Sequence, residues 1–143
     1  MILVDVNLLL YASIPGFRQH DAARDWLDRQ LSGLTPVGLP WTTVVAYLRL
    51  STNARIFKPP VPMAIAWQRM SAWLAADPVW VPQPTERHAD VFGTLLEQPG
   101  VHGNLVPDAD LAALAIEHGL TLCSTDGDFA RFSALKWVNP LAP

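Results

Sequence analysis

What the chain lacks narrows it first. It has one cysteine, Cys123, so no internal disulfide can form, and that usage fits a reducing compartment. No apolar run approaches the roughly 18 residues of a membrane span, so no membrane partner is expected. His20, His88, His102 and His118 show no zinc-site spacing. Met1-Ile2-Leu3-Val4 meets Asp5 at once, without the pattern of a signal peptide, and a cytoplasmic location is expected. There is no internal repeat and no low-complexity segment. Acids are missing from Arg29 to Ala76, where Arg29, Arg49, Arg55, Lys58 and Arg69 give +5. That leaves −8 on the remainder of a chain whose net charge is −3, a distribution that suits a phosphate-binding surface beside an acidic pocket.

What is present suits one domain over residues 1–143, since half of the residues are hydrophobic. Met1–Val6 reads as a strand whose apolar run, Met1–Val4, is unbroken until the acid Asp5, the mark of a strand buried on both faces and hence central in a parallel sheet. Asn7 is expected to cap a short helix, Leu8–Ala12; orienting Asp5 or a metal-bound water is its second reading. His20–Leu31 reads as an amphipathic helix, Pro36–Leu39 as a strand and Thr42–Thr52 as a helix. Lys58–Pro62 is a stiff turn. Pro62–Ala76 is a helix with one apolar face through Met70 and Trp73 and a second stripe at Ile65, Ala72 and Ala76, a surface for a partner. Val79–Val81 is the third strand, and Thr85–Gln98 a helix capped by Thr85. Leu135–Val138 is an edge-like fifth strand. Strands alternating with helices predict a three-layer α/β/α sandwich around a mainly parallel, about five-stranded sheet.

The segment Leu105–Phe129 carries the chemistry. Pro107 suits the first position of a helix, Gly119 its stop, and Thr121-Leu122-Cys123 a buried strand. Asp108 projects with the core-facing Leu111, Ala112 and Ala115, whereas Asp110 lies about 160° away with Glu117, toward solvent. Asp126 follows the strand and suits the cap of a turn, Gly127–Arg131. In a parallel sheet, Asp5, Asp108 and Asp126 therefore fall on the carboxyl rim, where the binding crevice lies. Two carboxylates about 4 Å apart repel by about 4 kcal/mol at an effective dielectric near 20, so three converging acids call for a cation. A set of oxygen ligands without Cys or His selects Mg²⁺ or Mn²⁺, the ions of phosphodiester hydrolysis.

With M-I-L-V-D-V-N-L-L-L-Y-A, P-D-A-D-L-A-A-L-A-I-E-H-G and S-T-D-G-D-F in that order, the sequence resembles the PIN-domain family, and closely the VapC-type toxin ribonucleases of toxin–antitoxin pairs. The resemblance covers essentially the whole chain. It implies that Asp5 and Asp108 are metal ligands and that Asp126 completes the acidic pocket, with Asp128 nearby. It also implies that Ser124 or Thr125 helps to hold a phosphate or the attacking water; local capping of the turn is their other reading. The implied reaction is metal-dependent cleavage of RNA by activated water. The implied partners are a second copy in a homodimer and a cognate antitoxin protein.

One position departs from the pattern. The glutamate usual on the helix after the second strand falls at Tyr47 in W-T-T-V-V-A-Y-L-R-L, and no acid lies close enough to replace it. Tyr47 is read first as a core residue; at the site it would offer a hydroxyl to bound water or a ring to a base. Arg49, Arg55 and Lys58 are nearby candidates for guiding RNA, or simply solubilising charges. The departure keeps a second reading open, a catalytically silent PIN fold that binds RNA or an antitoxin without cleaving. A haloacid-dehalogenase-type phosphatase needs an acid where Asn7 stands, and the adjacent acids and late lysine of a receiver domain are missing.

Overall fold

The computed structural model describes all 143 residues. Five strands form one sheet in the order β3-β2-β1-β4-β5. They are β1 (Ile2–Val4), β2 (Val37–Gly38), β3 (Val79–Trp80), β4 (Thr121–Cys123) and β5 (Trp137–Val138). Every pairing is parallel; Leu3 sits opposite Gly38 on one side and Leu122 on the other. The α/β reading with β1 at the centre holds.

Strand periodicity divides the core. Successive side chains point to opposite faces, so Leu3 and Leu122 enter one apolar cluster while Val4 and Cys123 enter the other. The Val4 side is covered by α1 (Val6–Ser13), α2 (His20–Leu31), α3 (Trp41–Ser51) and α4 (Met63–Leu74). The Leu3 side is covered by α5 (His88–Leu96) and α6 (Leu105–His118). Gly38 is needed where β2 passes Pro82: a Cβ there would lie 2.8 Å from the proline Cγ. Gly119 ends α6 at φ 69°, the left-handed conformation that glycine adopts without cost.

Some expected boundaries move. Asp5, not Asn7, caps α1: its Oδ1 accepts from the Val6 N–H at 2.7 Å, which pulls Asn7 inside the helix. Pro107 is the third residue of α6, still in the first turn, where a missing N–H costs no helical bond. Thr85 caps a turn instead of a helix, accepting from the Arg87 N–H at 3.1 Å, and α5 starts at His88. On α4 only Ala66 and Met70 are fully buried; Met63, Ile65 and Trp67 of its two apolar stripes are exposed.

Candidate active site

The sheet's strand order reverses direction between β1 and β4, and the crevice of an open parallel sheet lies beyond the carboxyl ends at such a switch point. Asp5 leaves β1 there and Ser124–Asp128 leave β4. Helix α6 precedes β4, and its first turn brings Asp108 to the same rim. Carboxylate oxygens of Asp108, Asp126 and Asp128 lie within 4.8 Å of one another. This trio contains Asp128, expected only as an accessory, and does not include Asp5.

Asp5 is held by its own bonds. One oxygen caps α1, and Oδ2 accepts from the Ser124 hydroxyl at 2.7 Å. The same hydroxyl oxygen accepts from the Asn7 amide at 3.1 Å and from the Asp126 N–H at 3.0 Å. Buried Ser124 thus ties together the ends of β1 and β4, and Asn7 acts through it on Asp5. The Asn7 Oδ1 is buried and has no hydrogen-bond partner. Asp126 caps the 3-10 turn Gly127–Arg131 through the Asp128 N–H at 2.9 Å, so its capping reading and its place on the rim coexist. Thr125 is half-buried beside it and makes no side-chain hydrogen bond.

The electrostatics are those of crowded acids. Burial, and then the charges of Asp126, Asp5 and Asp128, push Asp108 up to about 6, with Arg131 opposing them. Burial also raises Asp5, against the hydrogen bonds from Ser124 and Val6, and the Asp126 charge adds to the rise. Arg131 was missed in the sequence, although its i,i+3 spacing from Asp128 was a signal. Its Nη2 lies 3.8 Å from the Asp128 carboxylate.

Beside the acids a cavity of about 250 Å³ is lined by Asp5, Asp108, Asn104 and, from α3, Thr43, Ala46 and Arg49. Tyr47 is not among them, in line with its first reading as a core residue and against the accessory site role that was its second. It is buried, stands 2.8 Å from the Ser13 hydroxyl and meets the Trp73 ring edge-on at 5.0 Å. Ser13 spends its proton on the Leu9 carbonyl, so the phenol donates. Roughly 100° of helical turn separates Tyr47 from Ala46, enough to move a side chain from the cavity to the core. No α3 residue facing the cavity is an acid. Arg49 lines the same cavity as Asp5 and Asp108. Arg55 is exposed after α3, and Lys58 lines a separate cavity beyond the last turn of α1, at the opposite end of that helix from Asp5.

On the outer side of α6 the structure joins residues the sequence left apart. Each His88 ring nitrogen meets a carboxylate, Nδ1 at 2.7 Å from Glu117 and Nε2 at 2.8 Å from Asp110. Asp110 is therefore paired and half-buried, where a solvated position was expected.

A PIN-domain family profile matches residues 2–135. The chain is 42% identical over 142 residues to "Ribonuclease VapC37" of Mycobacterium tuberculosis, covering 99% of each. It is 40% identical over 141 residues to "Ribonuclease VapC33" of the same species, again covering 99% of each. Among solved structures, VapBC2 from Rickettsia felis bound to a promoter DNA fragment matches with a TM-score of 0.71 at 19% identity, over 97% of this chain and 98% of that one. FitAcB from Neisseria gonorrhoeae matches with a TM-score of 0.68 at 24% identity, over 98% of both. At these identities the two structures share the fold.

Proposed function

The chain belongs to the PIN-domain family, and from that premise we propose that it is an endoribonuclease, the toxin of a toxin–antitoxin pair, dependent on Mg²⁺ or Mn²⁺. The observation that carries the reading is the gathering of Asp108, Asp126 and Asp128 within 4.8 Å, beside Asp5. The donor set fits a hard divalent ion: every ligand is a carboxylate oxygen, and a cation relieves their mutual repulsion without protonating them. Asp5, Asp108 and Asp126 would hold the ion, with Asp128 beside them. When bound, such an ion stabilises charge on the phosphoryl oxygens and lowers the pKa of water.

The chain's own residues do the positioning. Ser124 fixes the rotamer of Asp5 through its hydroxyl and the backbone of Asp126 through its lone pair. Arg49 and the Asn104 amide stand on the cavity wall, where they meet the phosphate of an RNA strand. Water adds to phosphorus, the P–O bond to the leaving ribose breaks, and the leaving oxygen takes a proton. The proposed setting is the cytoplasm, with residues 1–143 acting as one domain and two copies paired as a homodimer, which the molar mass in solution checks. No helix is long and apolar enough to cross a membrane.

The deciding experiment is cleavage of several RNA classes with Mg²⁺ or Mn²⁺ and with chelator, using Asp5→Asn as the control. Cleavage is expected from the native sequence only when the ion is present. Equal cleavage by the control would expose contamination. No cleavage of any class would favour the silent binder, which the absence of an acid on the cavity face of α3 supports.

Two further outcomes are expected. Ser124→Ala frees Asp5 and Asp126 together and should weaken divalent affinity about 10–100-fold, the usual cost of losing an outer-sphere partner, with Ser124→Thr largely restoring it. Calorimetric titration with Mn²⁺ checks this; an unchanged affinity would leave Ser124 a turn residue only. Arg49→Gln should weaken RNA binding and reduce the salt slope by about one, the signature of one lost phosphate contact. Lys58→Gln should leave the slope alone.

A further inference from the structure

One cation stands directly against the acids. Arg131 closes the 3-10 turn that follows β4, and its Nη2 lies 3.8 Å from the Asp128 carboxylate. An i,i+3 pair of this kind at the surface adds little to stability, so pairing alone gives the residue a small role. Its hydrogen bonds point elsewhere. The Nε–H donates to the Asp128 carbonyl at 3.2 Å, which fixes the neck of the side chain, and neither Nη donates to any group of the protein. The side chain is 33% exposed, which leaves the guanidinium partly in solvent. Nη1 faces the 98–104 loop, where a Cβ on Gly100 would stand 3.5 Å away; Asn104, at the end of that loop, lines the cavity beside Asp5 and Asp108. Arg49 lines the same cavity from α3, whereas Asp126, Asp128 and Arg131 do not. The acids therefore lie between two cations, one carried after β2 and one after β4, on either side of the central β1.

From this placement we infer that Arg131 is a substrate-binding residue, which holds the scissile phosphate of the RNA from the side opposite Arg49. The inference rests on the ribonuclease reading above and adds the group that grips the reacting phosphate. A guanidinium is planar and forks onto two phosphoryl oxygens, and one whose neck is already fixed loses less freedom in doing so. Those oxygens gain negative charge as water adds to phosphorus, so a preset pair of donors acts most strongly at that moment. Arg131 takes no part in proton transfer, because a guanidinium stays protonated in proteins. Its charge opposes the rise of the Asp108 pKa, and the same charge repels a divalent ion among these acids. Serving the ion is therefore not what its position favours. An anion is the ligand that gains from a cation placed here.

The test compares Arg131→Gln and Arg131→Lys with the native full chain by two readouts that need no turnover. Calorimetry with Mn²⁺ reads the ion. Stopped-flow anisotropy of labelled decauridylate in Mg²⁺, taken before cleavage, reads the RNA. Arg131→Gln should bind the RNA about tenfold more weakly, with a salt slope lower by about one, while binding Mn²⁺ at least as tightly as the native protein. Its cleavage should be slower by about 100-fold, the usual cost of one lost donor to the developing charge. Arg131→Lys keeps the charge but not the fork, so it should restore the slope and not the rate. Weaker Mn²⁺ binding with RNA binding unchanged would overturn the inference and make Arg131 a buttress of Asp128. An unaltered affinity and slope for RNA, or full cleavage by Arg131→Gln, would overturn it as well. If the native protein cleaves no RNA, the enzymatic reading fails, while affinity and slope still decide whether Arg131 meets phosphate.

Discussion

Asp108→Asn is expected to raise the melting temperature of the metal-free protein at pH 7 while slowing RNA cleavage at least about 100-fold. The stability half follows from linkage. Burial first, and then the neighbouring acids, lift Asp108 from an ordinary 3.8 to about 6 in the fold. Between those values the folded protein binds more protons than the unfolded chain, so stability falls as pH rises through the window and stays lowered above it. A neutral Asn escapes that loss. The two melting temperatures should converge below pH 3.8 and separate up to about pH 6. The activity half follows from the ion. Outer-sphere partners alone are worth about 10–100-fold in metal affinity, and a direct ligand should exceed them. Added Mn²⁺ should therefore raise the melting temperature of the native protein far more than that of the variant. A variant that melts lower without metal, or still cleaves, would break the link between acid crowding and ion binding.

That trade-off is partly legible in the amino-acid sequence. Met1–Val4 is apolar without alternation because both faces of β1 are buried, and this alone puts Asp5 at the middle of the rim. The path from Pro107 to Gly119 and on through Thr121–Cys123 brought Asp108 and the acids after β4 to the same edge. One-residue distinctions on α3 were not legible. A register shift of roughly 100° decides whether a side chain faces the cavity or the core, and the apolar composition of Trp41–Ser51 offers both faces to burial. The core reading of Tyr47 holds, but nothing in the composition singles out Ala46 as the residue that faces the cavity. Lys58 is close in sequence to Arg49, but the chain turns after α3 through residues 52–57 and the acidless charge run splits across two surfaces. The partners of His88 were hidden most completely, because 29 residues separate it from Glu117 and pairing at that range is set by how α5 lies on α6.

That hidden pair sets the second large effect, a loss of about 3 kcal/mol in stability for His88→Ala, the lower end of the cost of stranding a buried charge. The Glu117 side chain is fully buried, and its other oxygen accepts from the Thr85 N–H at 2.7 Å. A neutral imidazole has one N–H, yet both nitrogens of His88 face carboxylates, so satisfying both requires the imidazolium. Burial works against that charge, but the hydrogen bonds and charges of Glu117 and Asp110 outweigh it and raise the pKa above 6.5. The sign follows: the contribution is whole below pH 6.5 and is lost as pH rises through the raised value. His88→Ala should lack that slope and melt about 6–12 °C lower at pH 6, given roughly 2–4 °C per kcal/mol for a domain near this size. Replacing His88 and Glu117 together by leucine should recover much of the loss, because no charge is then left buried. Divalent-dependent cleavage well below the melting temperature should persist, since Asp110 projects about 160° away from Asp108 around α6. Melting within 2 °C of the native protein, or an unaltered pH profile, would mean that apolar contacts alone fasten α5 to α6.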